Sequence, residues 1–98
     1  MNTLEHIMEF YEEALEELMD AQKYAKMSEH ADHAEHKQMY KNLGKQELEH
    51  EAIILAAGDR MVSGLSGNDT ETMRMVWHHL KKHLQSWRTD LEHKLSDR

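Results

Sequence analysis

No cysteine and no proline occur among the 98 residues, and glycine occurs only four times. Without cysteine there is no disulfide framework, no thiolate zinc site, no iron–sulfur cluster and no cysteine nucleophile. Any metal chemistry must therefore rest on carboxylate and imidazole. The lack of proline and the scarcity of glycine exclude a turn-rich β-sheet and favour long, unbroken helices. No 18-residue apolar run is present, and no basic region followed by an apolar stretch opens the chain, so neither a membrane span nor a signal peptide is expected. The chain reads as soluble and cytoplasmic. Basic residues are outnumbered, 12 against 19 acidic, and the resulting charge of −7 has the wrong sign for a phosphate-binding face. Nucleic acid and membrane are thus not expected as partners.

What is present is a single domain's worth of chain, 39% apolar and 32% charged, with nine histidines that need sorting. The stretch Gly58-Asp59-Arg60-Met61-Val62-Ser63-Gly64-Leu65-Ser66-Gly67 reads as a loop between a long helical hairpin and a last helix. Asn2 with Glu5, Asp32 with Glu35 and Asn68 with Glu71 share the spacing of a capping box, in which a side chain at the helix start accepts a free backbone N–H. These signals predict helices over residues 3–29, 33–57 and 69–95 of one all-α domain spanning 1–98.

Hydrophobic spacing supports that division. The last helix carries Met73, Trp77, Leu80, Leu84, Trp87, Leu91 and Leu95 on one stripe, a plain apolar seam. The first has a wider face, with Leu4, Tyr11, Leu18 and Ala25 beside a second row of Ile7, Phe10, Ala14, Ala21 and Tyr24, so more than one neighbour is expected. The middle helix breaks the pattern. Its seam reads His36, Tyr40, Leu43, Glu47, His50, Ile54, Ala57, and an unpaired carboxylate on such a stripe costs several kcal/mol or takes up a proton. Glu17 interrupts the second row of the first helix in the same way, with small Ala14 and Ala21 leaving space around it.

Glu47 and His50 stand three residues apart, one helical turn, where a single cation can bridge them. With Glu17 facing them across the hairpin, the chain offers two carboxylates and an imidazole. Di-iron and di-manganese carboxylate sites in four-helix bundles use a Glu from each of two helices and Glu-x-x-His from each of the other two. This chain holds one copy of each element, which is half a site, and two chains about a twofold axis would complete it.

The segment Glu17-Leu18-Met19-Asp20-Ala21-Gln22-Lys23-Tyr24, followed by Glu47-Leu48-Glu49-His50, resembles the ferritin-like superfamily, which includes the rubrerythrins, and within it especially the encapsulated ferritins. In that group the ligand Glu is followed seven residues later by Tyr and 30 residues later by the Glu of Glu-x-x-His, and Glu17, Tyr24 and Glu47 repeat those separations. The resemblance implies a half-ferritin fold, a hairpin plus a third helix, whose four-helix bundle is completed by dimerisation. It implies Glu17, Glu47 and His50 as ligands of a di-iron site shared by two chains, Mn or Zn being possible substitutes, and Tyr24 as a hydrogen-bond donor behind them. Lys23 and Met19 depart from the family pattern, standing where an aromatic residue and an additional carboxylate are often found. The chain ends at Leu95-Ser96-Asp97-Arg98 with no capsid-docking peptide, so an encapsulin shell gains no support.

The implied activity is that of a ferroxidase serving iron handling or storage: Fe²⁺ bound by both chains would be oxidised by O₂, with carboxylates favouring the oxidised ion and Tyr24 or Tyr40 orienting a ligand. The competing expectation is a non-enzymatic helical oligomerisation protein whose Glu and His form a structural network. His79 and His83, four apart, read as solvated residues rather than a hemerythrin-like site. His30, His33 and His36 surround the hairpin turn, where they could gather cations. Trp77 and Trp87 are expected at subunit contacts.

Overall fold

Asn2 starts helix α1 (Thr3–His30): its side-chain oxygen accepts the free Glu5 N–H at 2.9 Å, the capping expected there. The computed structural model describes residues 2–97, and within them α1, α2 (Ala34–Ser63) and α3 (Thr70–Lys94) are the only regular elements. The fold is all-α. Helices of 28 and 30 residues joined by residues 31–33 form a long hairpin, each arm roughly 42–45 Å at the rise of an α-helix.

Alanines decide how the third helix is received. Ala14, Ala21 and Ala25 of α1 are buried beside Leu18, and the shallow groove they leave takes Leu84 and Leu91 of α3, with Leu95 just past its end, against Leu48 of α2. At the open end of the hairpin Trp77 closes a second cluster with Ile7 and Val62. The expected α3 seam is thus the one that packs, with Trp77, Leu84, Leu91 and Leu95 fully enclosed. Trp77 belongs to this chain's own core rather than to a subunit contact, because Gly58 lets its ring lie against the α2 backbone. Trp87 is half-buried, and its Nε1–H donates to Gln22 Oε1 at 2.8 Å.

A row of cations runs along α3 beside the seam, one heptad apart. Arg74 donates to the carbonyls of Val62, Ser63 and Leu65 at the end of α2 (3.0–3.3 Å). Lys81 meets Asp59 at 2.7 Å, which also accepts Trp77 Nε1–H at 2.8 Å. Arg88 reaches the Leu48 carbonyl at 2.8 Å and the Glu51 carboxylate. Burial alone would raise the Asp59 carboxyl, but Lys81 and the Trp77 donor outweigh it and hold it below the usual carboxylate range.

Three local expectations are corrected. α2 runs on through Gly58 to Ser63, so the predicted loop is really helix for its first half; Gly58 marks a close approach of Trp77, not a break. The connecting loop is residues 64–69, where Gly67 takes φ 97° and Asp69 φ 65°, a left-handed backbone that glycine adopts without penalty. Asp32 does not cap α2, which starts after His33 with no side-chain cap, and Asn68 does not cap α3, which starts after Asp69. The buried residues of α2 are Gly44, Leu48, Glu51, Gly58 and Val62, one position round from the predicted seam. The row Tyr40, Leu43, Glu47, Ile54, Ala57 is half-buried instead, on a flank that no side-chain hydrogen bond or ion pair from α3 reaches among the described residues.

Candidate metal centre

The hairpin is symmetric about Asp32, so residues equally far from it lie level across the two helices. Glu17 and Glu47 are each 15 residues from Asp32, and Tyr24 and Tyr40 are each eight. This register brings the three sequence-predicted ligands together: ligand atoms of Glu17, Glu47 and His50 all lie within 4.8 Å of one another. His50 Nδ1 is 3.6 Å from Glu17 Oε2 and 3.7 Å from Glu47 Oε2. Donors bound to one transition ion at about 2.1 Å are separated by at most about 4.2 Å, so both gaps suit a shared cation. Both also exceed hydrogen-bonding distance. The glutamate side chains are about one-quarter and one-fifth exposed, at 24% and 20%, while His50 is open at 55%. The cluster thus has a closed carboxylate floor and an imidazole rim.

The electrostatics of the floor are unfavourable without a cation. Glu17 Oε2 is shut off from solvent and has no hydrogen-bond partner. A proton shared with Glu47 supplies the missing bond, and this, with burial and the Glu47 charge, pushes the Glu17 pKa up to about 7 against a small opposing pull from His50. The folded chain therefore keeps a proton that the unfolded chain releases from about pH 4.5 upward. Stability from this group is present at low pH and is lost as pH rises through 4.5 to 7. A divalent cation held by the trio would replace that proton, and Mn²⁺, chosen because it does not oxidise under these conditions, would then raise the melting temperature clearly more at pH 7.5 than at pH 5.5. Thermal unfolding at the two pH values checks this, and equal increments would contradict it.

The Tyr24 ring stacks on Tyr40 with centroids 6.5 Å apart, and it makes no hydrogen bond to the trio among the described residues. His30, His33 and His36 are exposed around the turn, with the His33 and His36 rings edge to face at 5.4 Å. His79 and His83 are exposed on α3 and stay outside the cluster. A groove between α1 and α3, lined by Met19, Gln22, Lys26 and Trp87 among others, lies apart from the trio; an ion bound by side chains needs no such cavity.

Periodicity missed Glu51. It is fully enclosed, burial raises its carboxyl while Arg88 opposes the shift, and its Oε2 has no partner. The only sequence signal was its place at the four-and-three spacing of Gly44, Leu48, Glu51 and Gly58, the true core row. Comparison of the chain with protein-family models, curated proteins and solved structures returned no match.

Proposed function

We propose that this chain is half of a di-iron carboxylate protein, in which Glu17, Glu47 and His50 of two chains bind Fe²⁺ at their interface and O₂ oxidises it. One observation carries the reading: two partly buried carboxylates and an imidazole converge, with His50 Nδ1 3.6 Å from Glu17 and 3.7 Å from Glu47, beyond hydrogen-bonding distance, and Glu17 Oε2 is buried without a hydrogen-bond partner. A structural network would be closed by hydrogen bonds; here only a proton held between the two carboxylates closes it, and a cation can take that proton's place. The half-buried flank of Tyr40, Leu43, Ile54 and Ala57 around it suits a second hairpin, which would give a four-helix bundle with six protein ligands for two ions.

Iron is the substrate here. Ferroxidation removes one electron from each of two Fe²⁺ ions and passes both, with two protons, to one O₂. The chain's contribution is charge: the Glu17 and Glu47 carboxylates would stabilise the more highly charged product ion, and the His50 imidazole completes the ligand set without adding a third carboxylate. The surplus of acidic residues raises the local cation concentration.

The test is direct. Anaerobic Fe²⁺ is added to the purified chain, air is admitted, and absorbance in the near ultraviolet is followed beside light scattering. A rise above the protein-free rate from a dimer or larger oligomer is expected. An unchanged trace, or full activity from a monomer, rejects the shared ferroxidase site and leaves the structural network in its place.

A further inference from the structure

Among the heptad-spaced cations of α3, Arg88 stands apart. Arg74 and Lys81 bind groups near the C-terminal end of α2, away from the ligand turn. Arg88 instead enters the core. Its Nη1 donates both to the Leu48 carbonyl at 2.8 Å and to Glu51, a fully enclosed carboxylate, while its Nε reaches Glu92 at 3.2 Å. A buried ion pair adds little to stability relative to apolar side chains of the same size, because desolvation offsets the attraction. Here the pair even leaves Glu51 Oε2 without a partner. Its location gives it another use. Leu48 and Glu51 interleave with Glu47 and His50 along one stretch of α2, so the side of the helix held by Arg88 adjoins, one residue's rotation round, the side that carries two of the three ligand groups.

We propose that Arg88 and Glu51 are positioning residues, a clamp that fixes the rotation of the α2 turn 47–51 so that Glu47 and His50 aim at Glu17. This rests on the metal reading above. Rotating α2 by one residue's worth of turn would sweep the Glu47 carboxylate away from Glu17 Oε2, and apolar contacts resist such a rotation poorly because they have no direction. A guanidinium bound at once to a backbone carbonyl and a carboxylate is directional. Neither residue touches the ion; both act through the helix backbone.

The experiment uses Co²⁺, whose visible absorption reports coordination geometry, on the full chain. Four proteins are titrated: the unsubstituted chain, Glu47→Ala, Lys81→Met, and the apolar exchange Glu51→Leu/Arg88→Met. The unsubstituted chain is expected to bind Co²⁺ and Glu47→Ala to lose it. Lys81→Met should melt earlier yet keep affinity and spectrum, because its contact lies away from the ligand turn. The apolar exchange should melt within a few degrees of the unsubstituted chain, bind Co²⁺ about tenfold more weakly, as loss of a supporting shell does, and show a shifted visible band. If the exchange prevents folding, Arg88→Lys is read instead, with a smaller loss of affinity expected because one point charge replaces the fork. Binding and spectrum unchanged in the exchange, or in Arg88→Lys where that is the variant read, overturn the clamp and leave the metal site intact. No Co²⁺ binding by the unsubstituted chain removes the metal site and the clamp together.

Discussion

Replacing Glu17 with alanine is expected, on the proposed ferroxidase reading, to slow Fe²⁺ oxidation by about a hundredfold or more, since even residues behind a ligand are worth ten- to hundredfold. At pH 8 the same substitution is expected to leave the metal-free fold as stable or slightly more so. The two effects have one origin. Above its pKa of about 7 the Glu17 carboxylate is charged beside Glu47, with its Oε2 enclosed and unbonded. Alanine removes the repulsion and the orphaned oxygen, and with them one of the three proposed ligands. Loss of activity without loss of stability cannot then be ascribed to unfolding. Glu16→Ala is the control: Glu16 is exposed and takes no part in the cluster, so initial rates should be unchanged. Initial rates by near-ultraviolet absorbance and melting curves at pH 8 check both halves. A rate lost in Glu16→Ala and kept in Glu17→Ala would move the site off the row that Glu17 interrupts.

That Glu17 could be picked from the run Glu12-Glu13-Ala14-Leu15-Glu16-Glu17 shows where sequence reading works in this chain. A carboxylate on an apolar row is conspicuous, and it stays so when the exact rotation of the helix is misjudged. The α2 core row was misjudged by one position, yet Glu47 and His50 still lie on a flank facing α1, because a helix packed between two neighbours buries a broad arc rather than a line. Interhelical polar pairs were illegible for the opposite reason. Arg88 with Glu51 and Lys81 with Asp59 join residues 37 and 22 apart in sequence, and no period within one helix marks them. The caps divide similarly. Asn2 accepts the Glu5 N–H, whereas the chain enters α2 and α3 one residue later than Asp32 and Asn68 would cap them, after His33 and Asp69.

Gly58 was read as loop and is helix, and the reason yields the second large effect. In an ordinary helix interior, Gly→Ala stabilises by about 1 kcal/mol through backbone entropy and propensity. At Gly58 an added Cβ would overlap the six-membered ring of Trp77. That ring cannot swing aside: it is fully enclosed, its Nε1–H is tied to Asp59 at 2.8 Å, and Phe10 packs edge-on at 6.3 Å. Overpacking a held aromatic costs up to about 3 kcal/mol, and weakening the Trp77–Asp59 hydrogen bond adds about 1 kcal/mol. The steric side wins, and Gly58→Ala is expected to destabilise by about 2 kcal/mol net, lowering the melting temperature by roughly 8–15 °C for a domain of this size. Gly44 is the milder case. There the added methyl meets the δ-carbons of Leu95 at 2.6 and 2.8 Å and its Cγ at 3.3 Å; Leu95 is enclosed too, but no hydrogen bond ties its aliphatic chain, so the steric cost and the propensity gain nearly cancel and Gly44→Ala should cost clearly less than Gly58→Ala. Pairing Gly58→Ala with Trp77→Phe, a smaller ring, should recover part of the loss relative to the sum of the two single changes. A melting temperature raised by Gly58→Ala would mean that Trp77 does not lie on the α2 backbone. The seam between α2 and α3 would then have to be redrawn, and with it the route by which Arg88 reaches the turn carrying Glu47 and His50.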